Sequence, residues 1–560
     1  MKLLLVGINS KFIHSNLAIR YLRAFTSDIN YECNIREYSI NDRAEKVVES
    51  IIHEKPNIVA FSCYIWNISF VKQIAVLIKL INKDIKILYG GPEVSFNSDE
   101  FFHNHPVDYI IEGEGEETFR EFVLAFKEGL EPDNIKGVYY KEGSLIKYGG
   151  RRPLMDINKL IFPYEKDEDL NNKIIYYEGA RGCPFNCKYC LSSTIHGVRF
   201  LDINRVKKDL NNLINKKVKL IKFVDRTFNC SSKFAMEVWS YLISLNTDTT
   251  FHFEISADIL RDEQLELLKS APKGRFQFEI GVQTTNYEIL KNINRFVSFE
   301  DIKSQVNILN GFGNIKQHLD LIAGLPGENF ESFKRSFNEL YSIRPDEIQL
   351  GFLKLLKGSP MKEEANKWGI VSSPYEPYEV ISTKDISYEE LTLLKKVEEM
   401  VDKYYNSGKF NSILKYFLPK FENPFEFYLN LGLFFSEKGY FNRSLSSIEY
   451  YKVFLEFNAE VIKERNENLI DIIKYDFLKF NKKKYLPNFI DRNIDKITEK
   501  KIKLAIKEKI ITIDYLNYNL EKFNIDINKF LSSGRIINGS FYYIFDEDNT
   551  ENVLEIIASI

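Results

Sequence analysis

Three cysteines stand close together, Cys183, Cys187 and Cys190, in the run ARGCPFNCKYCLSS. Thiolates are soft donors, and a C-x3-C-x2-C spacing in a tight loop lets three of them wrap one face of a cubane iron–sulfur cluster. Four-iron clusters ordinarily take four cysteines, so this triplet leaves one iron open to bind another ligand and do chemistry. The competing reading is a zinc site completed by Cys230 or His196, although zinc more often shows paired C-x2-C motifs. Only six cysteines occur in 560 residues, the reverse of a secreted disulfide framework, which predicts a reducing, cytoplasmic setting.

The elements around the triplet must hold it in place. From Lys173 the chain alternates strand candidates (KIIYYEG, LIKFVD, TFHFEIS, RFQFEIGV, HLDLIAG, EIQLGFLKL) with helical patterns, a βα succession that predicts a partial or complete barrel. Chemistry in such folds gathers at the C-terminal strand ends, where these runs carry Cys183, Asp225, Glu254, Gln283 and Gly324. The first ~140 residues alternate continuous apolar runs (KLLLVGI, NIVAFSCYI, KILYGG, VDYIIEGEGE) with helices at Leu17–Phe25, Val71–Ile81 and Glu117–Phe126, which predicts a doubly wound α/β domain with a parallel sheet. A hairpin-like stretch, GVYYKEGSLIKYGGRR, follows, then a polar connector through Pro153. In the last third, Ser387 and Glu390 form a capping-box pattern and Gly408 a helix stop. Helices are expected to about Leu478, with Asn538-Gly539 as a hairpin turn near the end. The expected division is 1–140, a linker 141–172, a barrel 173–380 and a mainly helical domain 381–560.

Bulk properties exclude several classes. No stretch of ~18 apolar residues runs without a charge, so no membrane-spanning helix is expected. The start, MKLLLVGINSKFIHSN, reads as a first strand rather than a leader. Net charge is −3 with Lys and Arg spread along the chain, which argues against a nucleic-acid partner.

The triplet, Tyr189 before its last cysteine, and the βα series together resemble the radical S-adenosylmethionine enzymes. That resemblance implies a [4Fe-4S] cluster whose open iron chelates the amino and carboxylate groups of S-adenosylmethionine, with release of a 5′-deoxyadenosyl radical. It also implies an electron donor such as flavodoxin or ferredoxin. EIGVQTTNYEILKNINR, with Glu279, Gln283 and Arg295, resembles the strand and loop that approach the ribose and carboxylate of the nucleoside, and HLDLIAGLPGE, with Gly324, resembles the adenine-side strand. KFVDRTFN with Asp225 and FHFEISAD with Glu254 resemble the intervening strands.

Upstream, FSCYIWN (Ser62, Tyr64, Trp66), YGGPEVS (Gly90, Gly91, Pro92, Ser95) and DYIIEGEGE (Glu112, Gly113) resemble the cobalamin-binding domain of cobalamin-dependent radical S-adenosylmethionine enzymes. Glycines at strand ends let the main chain pass close to a large flat ligand, with hydroxyl and stacking contacts around it. No Asp-x-His-x-x-Gly string occurs; His14 is the nearest candidate for a lower axial ligand, and cobalt is expected without a histidine below it. The C-terminal stretch around IKYDFLKFNKKKYLP resembles a domain of unknown function of the DUF4080 type, its lysines and aromatics read as a solvated and packed helix. The resemblance implies methylation of an unactivated centre of an unknown substrate. Alternatives are a radical cyclase or rearrangement enzyme, an RNA methylthiotransferase-like enzyme, and a zinc-stabilised cobalamin-sensing scaffold.

Overall fold

A computed structural model describes residues 1–96, 98–195, 197–481, 486–511, 513, 517–546 and 553–556. The first sheet is built from β1 (Lys2–Asn9), β2 (Glu32–Ser39), β3 (Ile58–Ser62), β4 (Lys86–Gly90), β5 (Tyr109–Ile111), β6 (Val138–Glu142) and β7 (Leu145–Tyr148), in the order β2-β1-β3-β4-β5-β6-β7. The first five strands are parallel, and β6 and β7 add antiparallel at one edge. The predicted hairpin thus extends the first sheet past residue 140 instead of merely following it.

β1 is apolar without a break because both of its faces are covered. Leu4, Val6 and Ile8 join one core with Val47, Ile51, Val71, Ile74 and Ile78 of helices α2 (Ala44–His53) and α3 (Ile68–Ile81), which follow α1 (Leu17–Phe25). Leu3 and Leu5 join the other, with Ile19 of α1 and Phe119 and Phe122 of α5 (Glu116–Lys127), the helix after α4 (Ser98–Asn104). Strand order reverses between β1 and β3, and such a switch point opens a crevice beyond the strand ends.

The second sheet contains β8 (Ile174–Tyr177), β11 (Leu220–Phe223), β12 (Thr250–Ile255), β13 (Phe276–Gln283), β14 (Lys316–Ala323) and β15 (Glu347–Phe352), in the order β15-β14-β13-β12-β11-β8. Adjacent pairs from β8 to β14 are parallel, and the sequential order leaves β8 and β15 as separate edges, a partial rather than a complete barrel. Between β8 and β11 lies a short antiparallel hairpin of β9 (Ala180–Cys183) and β10 (Gly197–Phe200). The loop after β1 is stitched to the β8 edge: the Ser15 amide and hydroxyl both donate to the Ile174 carbonyl, and the Ile174 amide donates to Ile13.

Contacts divide the chain into two units, Met1–Phe333 with Gly351–Tyr388, and Lys334–Leu350 with Glu389–Ile560. The second unit is mainly helical, with Tyr404, Phe410, Phe417, Phe454 and Phe457 among its buried rings. Asn538 and Gly539 open a nine-residue strand, Asn538–Asp546, that pairs with Tyr518–Ile525 and Val553–Ile556, so they are not the expected hairpin turn. Lys474, expected to be solvated, is fully buried 2.9 Å from Glu521, because a buried ammonium must find a counter-charge. Lys482–Tyr485 of that stretch lie outside the described residues. Among the described residues, no helix is long and apolar enough to cross a membrane.

Candidate active site

The hairpin carries the cysteine loop. Cys183 ends β9 and pairs with Gly197, so it sits on a strand end rather than in a loop directly after β8. A side chain at Gly182 (φ +109°) would meet the Gly197 carbonyl at 2.1 Å, which keeps the two strands in close register. Cys190 opens a 3-10 turn, Leu191–Thr194, and its sulfur accepts the Ser192 amide at 3.4 Å. The loop is held from outside by the Lys188 amide on the Ile293 carbonyl (3.0 Å) and Asn294 Nδ2 on the Asn186 carbonyl (2.8 Å).

Cys183 Sγ lies 3.5 Å from Thr227 Oγ1, and Cys187 is buried with Arg295 Nη1 at 3.9 Å. Burial pushes the Cys187 thiol up; Arg295 opposes that, and Cys190 and Cys183 add to it, so the three sulfurs feel one another. Burial, followed by Cys183, pushes Cys230 up to about 11. His196, the other zinc candidate, lies outside the described residues. Among the described residues no three His, Cys, Asp or Glu side chains form a group that could hold one single metal ion, whereas in a cubane each cysteine ligates a different iron. The donor set itself suits a cluster: soft sulfur from one clamped loop, with a guanidinium that favours the thiolate.

At the neighbouring strand ends several polar atoms are buried without partners. Gln283 ends β13 at a bulge with φ +70°, and its Oε1 is unsatisfied. Arg295 Nη2 donates to the Gly281 carbonyl at 2.6 Å while its Nε has no partner. Asp225 Oδ2 accepts the Gly179 amide at 2.9 Å and its Oδ1 is unsatisfied. Asp320, which sequence reasoning missed, leaves Oδ1 unsatisfied; burial, then Glu279 and Glu254, raises its carboxyl well above the usual range. Native proteins rarely leave buried polar atoms unpaired, so this group fits a polar ligand such as an aminoacyl nucleoside.

Glu254 is half-buried; burial raises its carboxyl, Arg226 lowers it and Glu279 raises it again. Glu279 is committed within the sheet. Burial works against its charge, but His252, with Nε2 3.0 Å away, and the charge of Lys222 hold it down to about 2. Gly324 takes φ +82° where β14 turns out of the sheet.

Beyond β1, β3, β4 and β5 opens a cavity of about 770 Å3. Ser62, Tyr64, Trp66, Gly90, Gly91, Pro92, Ser95 and Gly113 all line it. Tyr64 and Trp66 stack with centroids 4.4 Å apart and planes 6° from parallel. Ser62 Oγ accepts Asn16 Nδ2 at 2.8 Å, and Ser95 Oγ donates to the Gly91 carbonyl at 2.9 Å and accepts the Gly113 amide at 3.2 Å. Gly91 (φ +118°) lies so close to Cys63 that a Cβ would stand 2.5 Å from its carbonyl oxygen. Glu112 is not on the cavity wall. Its carboxylate is placed beside the phenols of Tyr139 and Tyr148, because the last residue before the Gly113 turn faces the antiparallel edge.

The opposite wall comes from the second sheet and the hairpin: Tyr176, Glu178, Arg181, Gly182, Leu191, Ser192 and Arg226. His14 also lines it, with Nδ1 2.8 Å from the Tyr176 hydroxyl; burial, then Lys11, Lys222 and Lys173, lowers its pKa. A roomy crevice with three positive-φ glycines, Gly91, Gly113 and Gly182, and a stacked aromatic pair fits a large flat cofactor.

Three family models match the chain: "B12 binding domain" over residues 3–123, "Radical SAM superfamily" over 177–340 and "Protein of unknown function (DUF4080)" over 366–545. The chain therefore combines a B12-binding domain, a radical SAM domain and a DUF4080 domain, in that order. Among its relatives is the uncharacterized methyltransferase PH0819 of Pyrococcus horikoshii, 25% identical over 303 residues, 52% of this chain and 65% of that one. Another is the cobalamin-dependent radical SAM methyltransferase TokK of Streptomyces tokunonensis, 23% identical over 364 residues, 60% of this chain and 52% of that one. The chain thus spans between about half and two thirds of the length of these curated relatives.

Among solved structures, the cobalamin-dependent S-adenosylmethionine radical enzyme OxsB, with aqua-cobalamin and S-adenosylmethionine bound, matches with a TM-score of 0.59 at 16% identity, covering 91% of this chain and 81% of that one. The radical S-adenosylmethionine methyltransferase TsrM from Kitasatospora setae, with cobalamin and a [4Fe-4S] cluster bound, gives 0.57 at 16%, covering 67% and 81%. These likenesses show a shared fold.

Proposed function

We propose that the chain is a cobalamin-dependent radical S-adenosylmethionine methyltransferase acting on an unactivated centre of its substrate. The observation that carries this reading is the make-up of one cavity wall. The 770 Å3 crevice beyond the first sheet is closed on its far side by Gly182, next to Cys183, and by Leu191 and Ser192, next to Cys190. A ligand on the glycine-lined side therefore faces the cysteine loop across a shared space.

In this reading residues 1–140 form the cobalamin-binding domain, 173–380 the radical domain and 381–560 a helical domain of separate role. Cys183, Cys187 and Cys190 would hold three irons of a [4Fe-4S] cluster, and Ser62, Tyr64, Trp66, Gly90, Gly91, Pro92, Ser95 and Gly113 would hold the corrin. When bound, the cluster supplies the electron that cleaves S-adenosylmethionine, and the cobalamin carries the methyl group. Gln283, Arg295 and Asp320 bind and orient the nucleoside through the polar atoms that the fold leaves unsatisfied. The crevice's apolar and aromatic walls keep water from the reacting centre. An electron donor such as flavodoxin or ferredoxin and a reducing cytoplasm complete the proposal.

The test is anaerobic incubation of reconstituted protein with S-adenosylmethionine and dithionite, followed by assay of 5′-deoxyadenosine and S-adenosylhomocysteine. Both products are expected, and Cys187→Ala should abolish the first. Persistence of 5′-deoxyadenosine in that variant overturns the assignment, and methyl-labelled donor separates methylation from ring formation.

A further inference from the structure

The hairpin that carries the cysteine loop places Arg181 directly opposite Arg199. Like charges at facing positions of an antiparallel pair repel, so this arrangement needs counter-charge. Two of the carboxylates that supply it come from beyond the first sheet's strand β5, Glu114 in the turn after it and Glu116 at the start of α5. Arg181 Nη2 lies 2.9 Å from Glu116 and 2.7 Å from Glu178, and its Nη1 lies 3.4 Å from Glu114. Arg199 grips the same Glu114 with both terminal nitrogens, Nη1 to Oε2 at 3.0 Å, and also donates to the Met155 carbonyl at 2.7 Å.

Three carboxylates thus surround two guanidiniums, and all four of Arg181, Glu114, Glu116 and Glu178 have side chains no more than 15% exposed. A buried ion cluster of this kind is weak evidence for stability, since the charges lose water to form it. Its strength is directional: a planar fork held by carboxylates on two sides tolerates little rotation or slippage.

Position gives that rigidity a use. Glu114 lies in the turn after β5 and Glu116 opens α5, and both line the cavity with Gly113 and Gly115, while Arg181 stands two residues before Cys183. We infer that Arg181 is a positioning residue: with Glu114, Glu116 and Arg199 it fixes the separation between the cobalamin-facing turn and the cysteine loop. This rests on the cofactor assignment proposed above, and it adds that the spacing between the two cofactors is set by these ion pairs and not by packing alone.

The test uses full-length protein loaded with hydroxocobalamin and reconstituted with iron and sulfide, then reduced so that cob(II)alamin and the cluster are both paramagnetic. Pulsed electron paramagnetic resonance reads the distance distribution between them. Arg181→Met and Glu114→Gln should retain iron and cobalamin but broaden and shift that distribution, and Arg181→Lys, which keeps the charge but loses the fork, should fall between them and wild type. Should Arg181→Met fail to fold, Glu114→Gln carries the measurement by itself, because Arg181 keeps Glu116 and Glu178. Loaded variants with the wild-type distribution overturn the inference while leaving the cofactor assignment intact. A wild-type protein that loads neither cofactor overturns both.

Discussion

His252 and Lys222, on neighbouring strands, converge on one oxygen of Glu279, each at 3.0 Å. The carboxyl is held at about 2 against a normal 4.5, so its charge is favoured by the fold. A depressed carboxyl stabilises the folded state above the unfolded pKa, and that contribution is lost as pH falls from about 4.5 through about 2. The shift corresponds to at most ~3 kcal/mol. Glu279→Gln should lower stability at pH 7 and flatten the pH dependence of urea unfolding across that window; an unchanged acid limb would count against the pairing.

Gln283 holds a left-handed backbone that side chains seldom adopt. Such strain costs about 1–3 kcal/mol and persists where function demands it. Gln283→Gly should therefore raise thermal stability by roughly 1 kcal/mol while weakening S-adenosylmethionine binding, measured by calorimetry on the reconstituted protein. A variant that is less stable and binds as well as wild type would refute a ligand role.

Gly91→Ala forces a Cβ against the Cys63 carbonyl at 2.5 Å in a φ of +118°. The turn that frames the cavity must shift, at a cost of about 1–3 kcal/mol. Hydroxocobalamin binding, followed by its visible spectrum, should weaken markedly. The spectrum of a reconstituted cluster should be unaltered.

In the second unit Asp476 is buried and accepts the amides of Ser412 and Ile413, each at 3.0 Å. Burial outweighs these bonds and raises its carboxyl to about 7. The folded state then binds the proton more tightly than the unfolded chain, so stability is greatest below about 4 and falls as pH rises to about 7, by up to a few kcal/mol. Asp476→Asn should remove that slope in denaturant titrations, without touching either cofactor spectrum.

Much of the fold is legible because burial leaves a pattern. β1, β3 and β4 are sheathed on both faces and read as apolar runs, whereas strands of the second sheet such as β13 and β14 alternate buried and half-buried positions, a period-two pattern that is equally legible. β2 escapes notice because it lies at an edge, where ECNIREYS can stay polar. The cysteine triplet is local and visible. Arg181 is not, since Glu116 lies 65 positions away and only the folded chain brings them together. Asp320 had a faint signal: in KQHLDLIA the polar residues Lys316, His318 and Asp320 recur every second position, on the half-buried face of the strand. Glu112 was placed with its glycine neighbour by motif, yet side chains alternate along a strand end and it faces Tyr148.

The stitch between Ser15 and Ile174 gives the second sheet a borrowed border. Unpaired strand margins invite other chains to add themselves, and here one margin is covered by the loop that follows β1. A fragment starting near residue 173 would present that margin bare and is expected to self-associate. The loop after β1 is thus, in part, the second sheet's guard against aggregation.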